Sequence, residues 1–270
     1  MKKEEKESKK KEEDRIAPEP IEDVKLKPEK VVADIEDIEA KIKERESKEE
    51  RLKRIRQEEL VSWKPKTKLG LEVKEGKIKN VDEIFDMGLK ILEEQIVDLL
   101  IPDLQMDLMA IGQAKGKFGG GKRRVWRQTQ KKTAEGNVMK FSCMAVVGDN
   151  NGHVGIGIGK ASETLPAKEK AIRDAKLNII KIKRGCGSFD CSCNEFHSIP
   201  FKVRGKTSSS VIILIPAAKG TGLVIDKECK KIMKLAGIKD IYSRTFGQTR
   251  SKINLAKACI IALEETSRMK

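Results

Sequence analysis

Between Val154 and Lys160 the chain reads VGIGIGK, so that Val154, Ile156 and Ile158 alternate with Gly155, Gly157 and Gly159. Alternation at a period of two predicts a strand with aliphatic side chains on one face and bare glycine on the other. A glycine face admits an unusually close neighbour, either a packed helix, which is the ordinary case, or a bound RNA backbone. Upstream, Val138 to Val147 alternates as well, with Met139, Phe141, Cys143, Ala145 and Val147 on one side and Lys140 and Ser142 on the other. The intervening GDNNG places a tight turn at Asn150–Gly152, and the two runs read as a hairpin.

A helix is expected from about Thr164, with Pro166 in its first turn and Ile172, Ala175, Ile179 and Ile182 as its buried stripe. One more helix is expected over residues 80–100, from Val81, Ile84, Phe85, Leu89, Leu92 and Ile96, with Pro102 beyond its end. In the second half Ile199, Phe201 and Val203 alternate with Lys202 and Arg204, and VIILIP at 211–216 reads as a strand covered on both faces. Gly220–Gly222 lead to a helix with Cys229, Ile232, Met233 and Ala236 inward and Gly237 at its stop. A short strand around Tyr242 and a last helix over 251–267 follow. The fold class is therefore α+β, in two small layered domains.

Residues 1–60 form a charged extension. The first 30 hold too few apolar side chains to offset the entropy of ordering, contain Pro18, Pro20 and Pro28, and are expected to be disordered. Val31, Ile35, Ile38 and Ile42 then start a helical stripe that resumes at Leu52 and Ile55. The extension holds 18 basic and 20 acidic side chains, leaving 39 and 22 for the rest, so the body carries +17 and the extension −2 of the chain's net +15. A one-sided basic body suits a polyanionic partner, of which nucleic acid is the commonest; plain solubility is the alternative. No apolar run approaches a membrane span, and Met1 to Lys11 are charged rather than signal-like, so a cytoplasmic address with no membrane partner is expected.

The densest basic stretch is KGKFGGGKRRVWRQTQKKTAEGN at 115–137. Lys115, Lys117, Lys122, Arg123, Arg124, Arg127, Lys131 and Lys132 would neutralise phosphates, while Trp126 offers a face for an unpaired base. Its charge and glycines predict a long loop that orders only on RNA; a partnerless surface loop is the competing reading. Elsewhere Lys140, Lys160, Arg184, Arg204, Lys219, Arg244 and Arg250 are further candidates for phosphate contact. Gly116 to Lys122 has the spacing of a nucleotide-binding P-loop, but Arg123 stands where Ser or Thr must bind magnesium. GIGIGK fails as a dinucleotide motif, since its glycines alternate within a strand.

Cys186, Cys191, Cys193 and His197 make C-x4-C-x-C-x3-H. Four such donors in a short loop either close around one structural zinc, leaving no open position for a reactive water, or form a loop of reduced thiols. Cys143, Cys229 and Cys259 lie on apolar faces and belong to the core. No catalytic residue emerges: His197 is a ligand candidate, and His153 sits in a turn with no nucleophile beside it.

FSCMAVVGDNNGHVGIGIGKASETLPAKEKAIRDAKLNIIKIKRG, KGTGLVIDKECKKIMKLAGIKDIYSRTFG and RSKINLAKACIIAL together resemble the small-subunit ribosomal protein five family. CGSFDCSC before HSIPFKV is similar to its archaeal branch, and the resemblance spans about residues 100–268. It implies a first domain like a double-stranded RNA-binding fold and a second of mixed α/β type. It further implies a structural, non-enzymatic role on the small subunit, bound to ribosomal RNA near the messenger entry channel beside ribosomal proteins three and four, with effects on decoding accuracy. In that family the counterpart of 115–137 reaches RNA as an extended hairpin loop. The expected division is an extension at 1–60, an RNA-binding domain at 61–185, a cysteine loop at 186–197 and an α/β domain at 198–270. The alternative is a free double-stranded RNA-binding regulator built on the same first domain.

Overall fold

The computed structural model describes residues 58, 60–113, 123–193 and 195–268. The expectations of a disordered 1–30 and a helix from Val31 to Ile55 lie outside the described residues.

Three short helices open the described body: α1 (Lys68–Lys74), α2 (Val81–Asp86) and α3 (Glu94–Leu100). They precede a five-stranded sheet of β1 (Gln105–Leu108), β2 (Arg127–Thr133), β3 (Gly136–Gly148), β4 (His153–Ala161) and β5 (Ile179–Lys181). Helix α4 (Thr164–Leu177) connects β4 to β5. The second half contributes β6 (Val203–Thr207), β7 (Ser210–Pro216), β8 (Leu223–Val224), α5 (Lys227–Leu235), β9 (Ile241–Phe246) and α6 (Lys252–Arg268). Its four strands lie in the order β6-β7-β9-β8. Among the described residues no helix is long and apolar enough to cross a membrane.

The glycine face of β4 is covered by α4. A β-carbon on Gly157 would stand 2.1 Å from the Ala175 nitrogen and 2.3 Å from the Ala171 oxygen, so helix and strand backbones meet with nothing between them. The expected stripe of Ile172, Ala175, Ile179 and Ile182 is accordingly corrected. The residues α4 presents to the sheet are Ala167, Ala171 and Ala175, the only side chains small enough, while Ile179 has already passed into β5. The single helix expected over 80–100 is also corrected. Gly88, at φ +69°, ends the α2 region, and Leu89 and Leu92 are exposed. Strand β7 is fully buried only at Ser210, Ile212 and Leu214, with Val211, Ile213 and Ile215 half-covered on its outer face, so the expected burial of both faces is not met.

Strand β3 feeds two cores. Cys143, Ala145 and Val147 join Ile84, Ile96, Val97 and, from α4, Ala171 and Ala175 under the N-terminal helices. Met144 and Val146, on the opposite face, join Val154, Ile232, Met233, Ile241, Leu255 and Leu263 of the second half. Helices α5 and α6 thus lie between the two sheets, giving layers of helix, sheet, helix and sheet. Cys143, Cys229 and Cys259 are fully buried free thiols, as their apolar surroundings predict.

Candidate nucleic-acid interface and metal centre

The stretch expected to be a structureless loop divides. Lys115, Lys117 and Lys122 lie outside the described residues, as does the P-loop-like run from Gly116 to Lys122. From Arg127 onward the chain is instead an ordered strand: β2 pairs with β3 from Arg127↔Ser142 to Thr133↔Gly136. Gly136, at φ +123°, permits the tight return from β2 to β3. Strand β4 pairs with β3 only from Phe141 onward, so the tip of the hairpin has no third strand, and every residue of β2 is exposed.

Register aligns the basic side chains. Arg127, Ser142 and Lys160 form one row across β2, β3 and β4, and Thr129–Lys140 and Lys131–Val138 are the next rows on the same face. Arg127, Lys131, Lys140 and Lys160 therefore share one exposed face, and Lys132 points to the other. Arg123 is half-buried and Arg124 exposed where the chain passes Gly112, whose N–H donates to the Arg124 carbonyl at 2.8 Å. Trp126 is half-buried and packs against the core under α4, which corrects its placement as a free loop aromatic.

The remaining basic candidates separate. Arg204 and Arg244 flank Ile213 across β6, β7 and β9 on the outer face of the second sheet, and Arg250 is exposed ahead of α6. Lys219 is exposed and pairs with Glu195 at 2.6 Å. Arg184 is turned inward: its guanidinium donates to the Asn150 and Asn151 carbonyls at 3.1 and 3.0 Å, clamping the β3–β4 turn. His153, read from the sequence as a turn residue with no nucleophile beside it, is held between carboxylates, with Nδ1 2.6 Å from Asp149 and Nε2 3.1 Å from Asp82. Burial opposes its charging, but the two carboxylates prevail and raise its pKa above the usual histidine value.

Cys186, Cys191, Cys193 and His197 converge, all four ligand atoms lying within 4.8 Å of one another. The loop is pinned at its neck by reciprocal backbone bonds between Gly185 and Ser198, at 2.8 and 2.9 Å. Gly187 lets it fold back, since a β-carbon there would stand 2.1 Å from the Pro200 oxygen. The separations Cys193–Cys186 (3.7 Å) and Cys191–His197 Nε2 (3.6 Å) suit a tetrahedron with zinc–sulfur bonds of about 2.3 Å and zinc–nitrogen bonds of about 2.0 Å. Cys191 and Cys193 stand closer, at 3.0 Å, and would open slightly around an ion. The Cys191 thiol is brought down to about 6, first by the Cys193 side chain and then by backbone amides of Cys193 and Lys219, so a thiolate forms readily there. His197 is buried, and its Nδ1–H donates to the buried carboxylate of Asp240 at 2.9 Å, which leaves the Nε2 lone pair facing the sulfurs. Sequence reasoning missed Asp240 because it stands alone in an apolar run, IKDIY, with no ligand-like spacing.

Known proteins share much of this sequence. The family model described as ribosomal protein S5, N-terminal domain, matches residues 125–183, and that of the S5 C-terminal domain matches 205–270. The small ribosomal subunit protein uS5 of Nanoarchaeum equitans is 51% identical over 208 residues, 77% of this chain and 89% of its own. The chain belongs to the ribosomal protein S5 family. Other S5 relatives are similarly close: uS5 of Aeropyrum pernix is 46% identical over 78% of this chain and 90% of its own, and that of Methanobrevibacter smithii 44% over 77% and 91%. The S5 N-terminal match takes in the hairpin, the glycine strand and α4; the S5 C-terminal match takes in the second sheet with α5 and α6. The cysteine loop falls between the two matched S5 segments.

Proposed function

We propose that this chain is a structural constituent of the small ribosomal subunit, working in the cytoplasm as an RNA-binding scaffold and not as an enzyme. The observation that carries the reading is the projecting β2–β3 hairpin, fully exposed along β2, with Arg127, Lys131, Lys140 and Lys160 on one face. Such a row neutralises successive phosphates, and Arg124, Arg204, Arg244 and Arg250 extend the basic surface. Names of the relatives, all small-subunit proteins, support this assignment. On this reading the RNA is small-subunit ribosomal RNA near the messenger entry channel, the neighbours are ribosomal proteins three and four, and the contribution is to decoding accuracy. Residues 61–185 bind RNA, 186–197 are the cysteine loop and 198–270 the α/β domain. Cys186, Cys191, Cys193 and His197 hold one structural zinc, which the tetrahedral separations and the absence of a spare ligand position favour.

Gradient sedimentation of cell extract tests the function. The protein should travel with small subunits at low salt; finding it only in the free fractions would favour a free RNA-binding regulator. Elemental analysis of reduced protein should return about one zinc per chain, consistent with four protein ligands.

A further inference from the structure

Asp240 is buried, and each of its two oxygens has a separate task. Oδ2 accepts the Nδ1–H of His197 at 2.9 Å. Oδ1 accepts the backbone N–H groups of Gly220 and Gly222 at 3.1 and 2.7 Å. Gly220 and Gly222 adopt φ of +91° and +74°, which glycine reaches without steric cost, and this turns both N–H groups toward the one carboxylate oxygen. One more contact joins the same loop to the cysteine cluster. The Ala217 N–H donates to Ser198 Oγ at 3.3 Å, where Ser198 closes the neck of the cysteine loop. Chains of this kind, metal to imidazole to carboxylate, fix the ring and its tautomer and raise ligand basicity.

We infer that Asp240 is a positioning residue for the metal centre and that metal binding thereby sets the conformation of the Ala217–Gly222 loop, which carries the exposed Lys219. The inference rests on the metal reading of the cysteine cluster. Its physical basis is reciprocity: if the ion fixes His197, and His197 holds Asp240, then the loop amides bound to Asp240 are more protected with metal than without it. The cysteine loop then does more than staple its own neck. It determines how Lys219, whose chemistry suits a phosphate, is presented at the surface.

The test uses the full chain, reduced, with Co2+ as a spectroscopic probe and Zn2+ for exchange measurements. Asp240→Asn is informative because its amide oxygen still accepts from Gly220 and Gly222, whereas its NH2 cannot accept the His197 proton. We expect thiolate-to-cobalt absorption in the native protein, a 10–100-fold loss of Co2+ affinity in Asp240→Asn with the same absorption at saturation, and faster hydrogen exchange at Gly220 and Gly222 on chelation. Absence of thiolate-to-cobalt absorption would sink the metal reading itself, and this inference with it. Normal absorption, with unchanged affinity in Asp240→Asn and with Gly220 and Gly222 exchange indifferent to zinc, would overturn the coupling while leaving the site intact. Should Asp240→Asn fail to fold, the zinc dependence of exchange in the native chain decides alone.

Discussion

The carbonyl oxygen of Ala258 lies 2.0 Å from the point where a β-carbon on Gly205 would stand. Strand β6 and helix α6 therefore meet backbone to backbone, as β4 and α4 do in the first half at Gly155, Gly157 and Gly159. The neighbour in each case is main chain, which cannot rotate aside. Gly157→Ala and Gly205→Ala should each lower stability by about 3 kcal/mol, the upper end of overpacking costs. Gly185→Ala, whose β-carbon would meet Pro200 at an ordinary 3.4 Å, should change it by less than about 0.5 kcal/mol. Urea unfolding of the three variants measures the contrast.

His153 should make stability depend on pH. Its folded pKa is raised, against the cost of burial, by Asp149 and Asp82, and Phe85 stacks on its ring at 6.0 Å between centroids. Its contribution is therefore complete below the unfolded value near 6.5 and fades as pH rises through the higher folded value. The deficit of His153→Gln relative to the native protein should be larger at pH 6 than at pH 9. Equal deficits at both would show that the imidazolium is not what Asp149 and Asp82 hold.

The hairpin face should bind RNA through its charge. Replacing Arg127 and Lys140 together by Ala should reduce the slope of log affinity against log salt by about 2, one for each phosphate contact. Melting temperature should stay nearly constant, because both side chains are exposed. A salt series in filter binding with a small-subunit RNA fragment gives both slopes.

Trp126→Ala should act differently. The indole packs against the core beneath α4, so its loss should cost about 2 kcal/mol of stability, less than a fully buried aromatic. Thermal unfolding that does not shift would return Trp126 to the RNA surface.

Much of the fold was legible because alternation and small-residue spacing report the environment directly. Val154 to Gly159 revealed a strand with a closely covered face, and Cys229, Ile232 and Met233 revealed the inward side of α5. Misreadings arose where tertiary contacts outweighed local pattern. The aliphatic stripe of α4 looked more apolar than Ala167, Ala171 and Ala175, yet only the alanines fit against glycine. Helical spacing from Val81 to Ile96 suggested one helix, but Gly88, with its positive φ, turns the chain out of α2. The charge of 127–133 suggested disorder, whereas pairing with β3 supplies the backbone partners that order it. Spacing found the four metal-ligand candidates; nothing in IKDIY marked Asp240, whose task exists only once residues 197, 220, 222 and 240 are brought together.

Met144, Val146 and Val154 complete their core with Ile232, Met233, Leu255 and Leu263. These partners are translated after the whole first sheet, since β5 ends at Lys181 and α5 begins at Lys227. A chain cut anywhere between β5 and α5 would therefore leave Met144, Val146 and Val154 facing water, so the first sheet cannot be lifted out as an independent module.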